Sequence, residues 1–369
     1  MRGDRPADLR YLTQLAQAAE INGFEAVLTP TGLWCEDAWL TTAMLISSTE
    51  SLKYLVAFRP GLVSPTLAAQ MATTFQWQSQ GRLMLNVVTG GESSEQQAFG
   101  DFLPKEARYA RCGEFLDIVR RLWTSEEPVT AIGEHLHVEE ATLARHPDPL
   151  PPVFFGGSSP EAGQVAAQYA DTYLTWGERP EQVKEKLDWI RGLAAAQGRH
   201  LSYGIRLHVI SRDTSEQAWS EAQRLLSALN PETVAAAQQS LARSESVGQR
   251  RMRQLHGGGD DFAAGADARQ LEIYPNLWSG VGLVRGGAGT ALVGSHEEVA
   301  DRIAEYAELG LEHFILSGYP HLEEAYIFGE GVRPRLAKRG LLGVDDAAIR
   351  SSEPVRSAFL PRVGDVSAS

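Results

Sequence analysis

Arg206 and His208 interrupt an otherwise apolar run, LSYGIRLHVI (201–210), at spacing i, i+2. Side chains on a strand alternate with period two, so both point to one face. A guanidinium beside an imidazole on one face of a buried strand is costly unless that face lines a cavity or meets an anion. A structural Arg paired with a core carboxylate, beside a hydrogen-bonded His, accounts for the stretch equally well.

Other stretches carry related signals. Gly156-Gly157-Ser158-Ser159 follows the apolar run PPVFF and leads into a helix. Glycines let a ligand approach the backbone, serines offer hydroxyls, and a helix N-terminus offers free N–H groups, which suits a phosphate. A tight turn with Ser as N-cap is the alternative. Thr89-Gly90-Gly91 is a similar turn, and Trp176 in Thr175-Trp176-Gly177-Glu178 could pack on a planar ring. Arg285 is followed closely by glycines at 286, 287 and 289, which suggests a movable segment able to bring a guanidinium onto an anion. A lone surface arginine is the plainer reading. Tyr319 and His321 flank Pro320, as site residues or as the start of the next helix. Cys35 precedes Glu36 and Asp37, whose charges oppose a thiolate, so a polar wall or simple packing suits it better than nucleophilic catalysis. His135 and His137 read as structural. No Walker loop, G-x-G-x-x-G after a strand, HExxH, metal cluster or G-x-S-x-G occurs.

These residues must be positioned by the elements between them. Apolar runs predict strands over 24–29, 52–59, 82–88, 151–155, 172–176, 203–210 and 313–317, alternating with helices, and a hairpin in 129–145. The alternation implies a parallel sheet and favours an α/β TIM (β/α)8 barrel over a doubly wound sheet. The barrel occupies 1–330 as a single domain, with a tail over 331–369 that wraps the surface or frays. Seven strands are counted, and the chain begins on a helix where a barrel begins on a strand. Residues 230–280 break the rhythm. Their first half is helical and polar, and HGGGDDFAAGADARQ reads as mobile, together a lid or a disordered insertion. GVGLVRGGAGTALVG reads as a Gly-rich turn.

A net charge of −13 and a pI of about 5.2 argue against a nucleic-acid partner, though not against a small anion. Two cysteines without disulfide or zinc spacing fit a reducing cytoplasm. The polar N-terminus shows no secretory signal, and no apolar run approaches the ~18 residues of a membrane span.

TPTGLWCEDAWL, NVVTGG, PPVFFGGSS, YLTWGE, GIRLHVI, PNLWSGVGLVRGGAGTALVG and FILSGYPHLEEAY together resemble the two-component, reduced-FMN-dependent alkanesulfonate monooxygenases of the bacterial luciferase-like superfamily. The resemblance covers residues 5–330. It implies a cytoplasmic barrel enzyme that takes reduced FMN from an NAD(P)H-dependent FMN reductase. Such an enzyme uses O2 to convert an alkanesulfonate to aldehyde and sulfite, and forms a homo-oligomer, commonly a tetramer. Carried over by position, Cys35, Arg206, His208, Arg285 and Tyr319 fall on active-site positions. Ser158, Ser159 and Tyr109 then hold the FMN phosphate, with Gly157 at the turn, and Thr89 and Trp176 border the ring. No metal is implied. Two departures stand out: the family's first strand has no counterpart here, and Leu33-Trp34 replaces a basic-polar pair. A related flavin monooxygenase acting on another sulfonate, a sulfone or an alkane is the alternative, as is an inactive flavin- or anion-binding barrel.

Overall fold

The computed structural model describes residues 5–257 and 265–342. Helix α1 (Leu9–Ile21) starts on Asp8, whose side chain accepts from the Tyr11 N–H, and buries its alanines Ala16, Ala18 and Ala19. It leads into β1 (Ala26–Thr29), α2 (Ala38–Leu45), β2 (Lys53–Phe58), α3 (Pro65–Ser79) and β3 (Leu83–Val87). The short α4 (Ser93–Ala98) and long α5 (Lys105–Thr124) follow, then the antiparallel hairpin β4 (Val129–Ile132) and β5 (His137–Ala141). The rhythm resumes with β6 (Val153–Gly156), α6 (Pro160–Tyr169), β7 (Thr172–Trp176), α7 (Pro180–Ala195), β8 (Ser202–Arg212) and α8 (Ser215–Ser227). The excursion comprises α9 (Pro231–Ala242), α10 (Val247–Leu255), β9 (Glu272–Tyr274) and β10 (Leu277–Trp278). The chain closes with β11 (Ala291–Ser295), α11 (His296–Glu308), β12 (His313–Ser317), α12 (His321–Gly331) and α13 (Arg333–Lys338).

Strands β1, β2, β3, β6, β7 and β8 pair in that order, all parallel, with helices between them, the arrangement of a TIM-barrel-type α/β fold. The eleven-residue β8 is the hub. Its first half pairs with β7 through Thr172↔Ser202 to Trp176↔Arg206, and β12 pairs with it through His313↔Gly204 to Ser317↔His208. Its last five residues pair with β11 from Ala291↔His208 to Ser295↔Arg212.

The period of two sorts β2 between two layers. Tyr54, Val56 and Phe58 join the large core under the helices, while Leu55 joins Met84, Phe154, Ala26, Leu28, Leu174 and Ile315 in the lumen. Among the described residues, β1 and β12 do not pair with each other, and each has a strand neighbour on one side only. Every residue of these two strands is half-buried, whereas five of the six in β2 are buried. A seam therefore runs down the barrel between them.

Three expectations are corrected. Ala291–Ser295 is an eighth parallel strand, added on the far half of β8; the surrounding glycines hid it. The 230–280 excursion does contain strand, because β10 pairs antiparallel with β9 and β11. The tail's first residues form α13, which buries Arg333 and Leu336. The part of HGGGDDFAAGADARQ over 258–264, and the tail from 343, lie outside the described residues.

Candidate active site

A cavity of about 780 Å³ opens at the carboxyl ends of the strands, a size suited to a cofactor plus a small substrate. It is lined by the ends of β3, β6, β7 and β8, by the segment carrying Arg285, and by the α9–α10 connection. Thr89, Tyr109, Gly157, Ser158, Ser159, Trp176, Arg206 and Arg285 all line it, so most of the residues singled out in the sequence meet in one space.

At one end Ser159 caps α6, its Oγ accepting from the Ala162 N–H at 3.3 Å. The Tyr109 hydroxyl interacts with Thr89 and Ser159, and burial pushes its pKa up, so it remains a neutral donor. Tyr173 fixes the turn by donating to the Gly157 carbonyl at 2.6 Å. A Cβ on Gly156 would lie 2.8 Å from the Leu174 carbonyl, so the strand needs glycine there. Three hydroxyls and a helix N-terminus thus converge on a pocket suited to a phosphate. Lys105, at the start of α5, lines the same end and was missed in the sequence.

Trp176 stands between the excursion and the Arg285 segment, close to Gly248 on one side and Gly287 on the other. The Gly287 N–H donates to Gln249 Oε1 at 2.9 Å, which ties the two covering segments together.

At the opposite end Arg206 faces the cavity. Burial first, then the neighbouring Arg285, lowers its pKa to about 10. Its Nε has no hydrogen-bond partner, and no carboxylate pairs with it or with Arg285 among the described residues. Arg285 Nη1 donates to the Tyr319 hydroxyl, and burial lowers its pKa also. The Tyr319 ring stacks on His208, with centroids 5.5 Å apart.

His208 is 2% exposed and sits beside, rather than on, the cavity wall. Burial, then Arg285, lowers its pKa to about 3, so its imidazole is neutral in ordinary buffers. Its Nε2 lies 3.0 Å from the Ala288 carbonyl, which can only accept, so Nε2 carries the proton and Nδ1 is left as a buried, unpartnered acceptor. His321 approaches Tyr319 at 5.1 Å, and burial lowers its pKa as well.

Cys35 is not brought to the cavity wall, although its neighbour Trp34 is. Its Sγ points at the carbonyls of Pro30 and Gly32. Burial and Glu95 raise its pKa against the opposing pull of Arg59, so it is a thiol.

A second cavity, about 460 Å³, runs along the seam and shares Leu28, Trp34, Arg206, Arg285 and Ile315 with the first. Sequence reading also missed a buried triad. Glu178, 1% exposed, accepts from Lys186 Nζ at 2.7 Å and from Arg251 Nε at 2.9 Å. Its two cations, on α7 and α10, pull its pKa down against burial. A signal existed: Lys186 sits among Val183, Leu187, Ile190 and Ala194, on the buried stripe of α7.

No three His, Cys, Asp or Glu side chains cluster to hold a metal among the described residues, and none of the described helices is long and apolar enough to cross a membrane.

Comparison with known proteins agrees with this geometry. A riboflavin lyase structure with modified FMN and riboflavin superposes with a TM-score of 0.74 at 22% identity, covering 91% of this chain and 86% of that one. A long-chain alkane monooxygenase gives 0.73 at 22% identity, covering 92% and 86%. An F420-dependent secondary alcohol dehydrogenase gives 0.63 at 20% identity, covering 88% and 94%. At these identities the likeness shows the fold. The profile of the luciferase-like monooxygenases matches residues 1–313, and the chain belongs to that family.

Proposed function

We propose that the protein is a monooxygenase that uses reduced FMN and dioxygen to cleave alkanesulfonates to aldehyde and sulfite. The observation that carries this reading is the pair Arg206 and Arg285. These two half-buried guanidiniums share a cavity wall, lack carboxylate partners among the described residues, and sit in the same cavity as a phosphate cradle. Two uncompensated cations in a low-dielectric pocket call for an anionic ligand. A sulfonate is compact and permanently charged, and guanidiniums grip such oxygens through forked, charge-assisted hydrogen bonds.

The cradle fits a flavin monophosphate. Ser158, Ser159, Tyr109 and Lys105 would hold the phosphate, and Thr89 and Trp176 would border the ring. Reduced flavin supplies the activation of dioxygen; the rest is work for the chain. Arg206 orients the sulfo group, and its lowered pKa makes it the better proton donor of the two strand residues. His208, its Nε2 proton given to Ala288, holds the Tyr319 ring by stacking. Tyr319 positions Arg285, whose glycine-rich segment covers the cavity with α10 and keeps water out. NAD(P)H-dependent reduction of FMN by a separate reductase, and a homotetrameric assembly, complete the proposal.

The test is sulfite release from octanesulfonate and methanesulfonate with FMN, NADPH and a flavin reductase. No sulfite from either, with flavin oxidation proceeding, would reject the sulfonate reading in favour of a sulfone or alkane.

A further inference from the structure

The strap between α9 and α10, together with α10, is fastened to the barrel at two points. One is the Arg251–Glu178 pair described above. The other lies across the cavity, on the loop after β3. There the Glu245 N–H donates to the Gly91 carbonyl at 3.2 Å, and Ser244 Oγ donates to the same carbonyl at 3.3 Å. Ser93 Oγ donates to Glu245 Oε2 at 3.0 Å, and Lys105 Nζ donates to the Glu245 carbonyl at 3.3 Å. Arg108 Nη2 lies 3.7 Å from Glu245 Oε2.

Arg108 is the informative residue. Its side chain is 2% exposed, Nη1 donates to the Leu103 carbonyl at 2.8 Å, and Nε has no partner. A buried guanidinium needs an anion. Two carboxylates act on Arg108: the buried Asp101, which is held by Arg111 at 2.5 Å, and Glu245, which arrives from the excursion and is itself 47% exposed. Lys105, Gly91, Ser244 and Ser246 line the same cavity as Ser158, Ser159 and Tyr109.

We propose that Glu245 is a placeholder carboxylate at the phosphate end, pushed aside when a phosphate dianion settles beside Lys105, and that its displacement frees the strap at Gly91. The proposal rests on the flavin reading above only for the identity of the ligand that carries the phosphate. A dianion held by the serine turn, Tyr109 and Lys105 would crowd the Glu245 charge, and like charges at such range repel. Glu245 can yield at low cost because half of its side chain already meets water. Glu178 cannot, since it is buried between two cations. The strap therefore opens at Glu245 and stays hinged at Arg251. Anion binding then loosens the β3 end of the strap, while α10 and the Arg285 segment still cover the cavity.

The experiment compares the full-length protein with Glu245→Gln, using inorganic phosphate, FMN and riboflavin as probes. Affinities for the flavins are read by fluorescence quenching, and the strap is read by amide hydrogen exchange over 242–248. Glu245→Gln should bind FMN and inorganic phosphate roughly five- to tenfold more tightly, with riboflavin unchanged, because only the charged ligands feel the carboxylate. In the unsubstituted protein, saturating inorganic phosphate should speed exchange of the Glu245 amide. Phosphate affinity within twofold of the parent, or a Glu245 amide better protected with phosphate than without, would overturn the placeholder role. If the parent binds phosphate but neither flavin, the flavin reading falls and the phosphate arm still decides the role of Glu245.

Discussion

At one end of the main cavity Arg206 and Arg285 face no carboxylate among the described residues; at the other, Arg251 and Lys186 share Glu178, and Arg108 faces Glu245. Cations are left bare at one end and neutralised at the other. The bare pair sits on a barrel strand and on a segment tied to the excursion by Gln249, and its missing counter-charge must come from a ligand. The neutralised set crosses between barrel and excursion, and its carboxylates hold the cover in place. Charge compensation thus separates groups that bind from groups that fasten, which residue type alone does not.

The sharpest way to break this contrast is at the bare end. Arg206→Ala should lower kcat/KM for an alkanesulfonate by roughly 10²–10⁴, the loss of two charge-assisted hydrogen bonds at about 1.5–3 kcal/mol each. Sulfite assays check this, and a loss under tenfold would mean that Arg206 does not hold the head-group. At the fastening end, Glu178→Gln leaves Lys186 and Arg251 without their anion and should cost about 3–5 kcal/mol of stability, read as a lower urea midpoint. Because the folded Glu178 pKa is depressed, its contribution is complete above the ordinary carboxylate range near pH 4.5 and is lost as pH falls through the lower folded value. The variant should therefore lose part of the parent's acid sensitivity.

Arg285→Ala tests whether the cover matters to chemistry. It should leave flavin oxidation running while sulfite per flavin oxidised falls by roughly fivefold, as water gains access. An unchanged ratio would remove Arg285 from the mechanism. A test in pH belongs to His208. Its folded pKa, about 3, lies below the ordinary 6.5, so the unfolded chain binds the extra proton in that window and acid favours unfolding. Stability should drop with a limiting slope of about 1.4 kcal/mol per pH unit from this group between pH 6.5 and 3. His208→Gln, which keeps a donor for Ala288, should flatten that slope by up to one proton. An unaltered slope would mean that the imidazole is already charged.

Much of this was legible in the chain. The period of two put Arg206 and His208 on one face, and the structure places one on the cavity wall and the other behind it, stacked on Tyr319. The serine turn, Thr89 and Trp176 were found because each follows or ends a strand, where a barrel exposes backbone ends, and Tyr109, inside α5, came only from the family resemblance. Strand β11 was hidden because glycines flank a short apolar run that extends β8 rather than the barrel. The Glu178 triad and the Glu245 contacts join residues 8 to 154 positions apart, and no local pattern reports such pairings. Cys35 was drawn in by position in a motif, but its sulfur turns to backbone carbonyls while Trp34 faces the cavity.

The seam between β1 and β12 has a consequence for how this barrel comes apart. A continuous ring of strands has no preferred starting point for opening, since each strand is held from both flanks. Here the ring has two ends, and thermal fraying starts at ends. Exchange of backbone hydrogens should spread inward from residues 26–29 and 313–317 and reach β6, three pairings from either end, last of all.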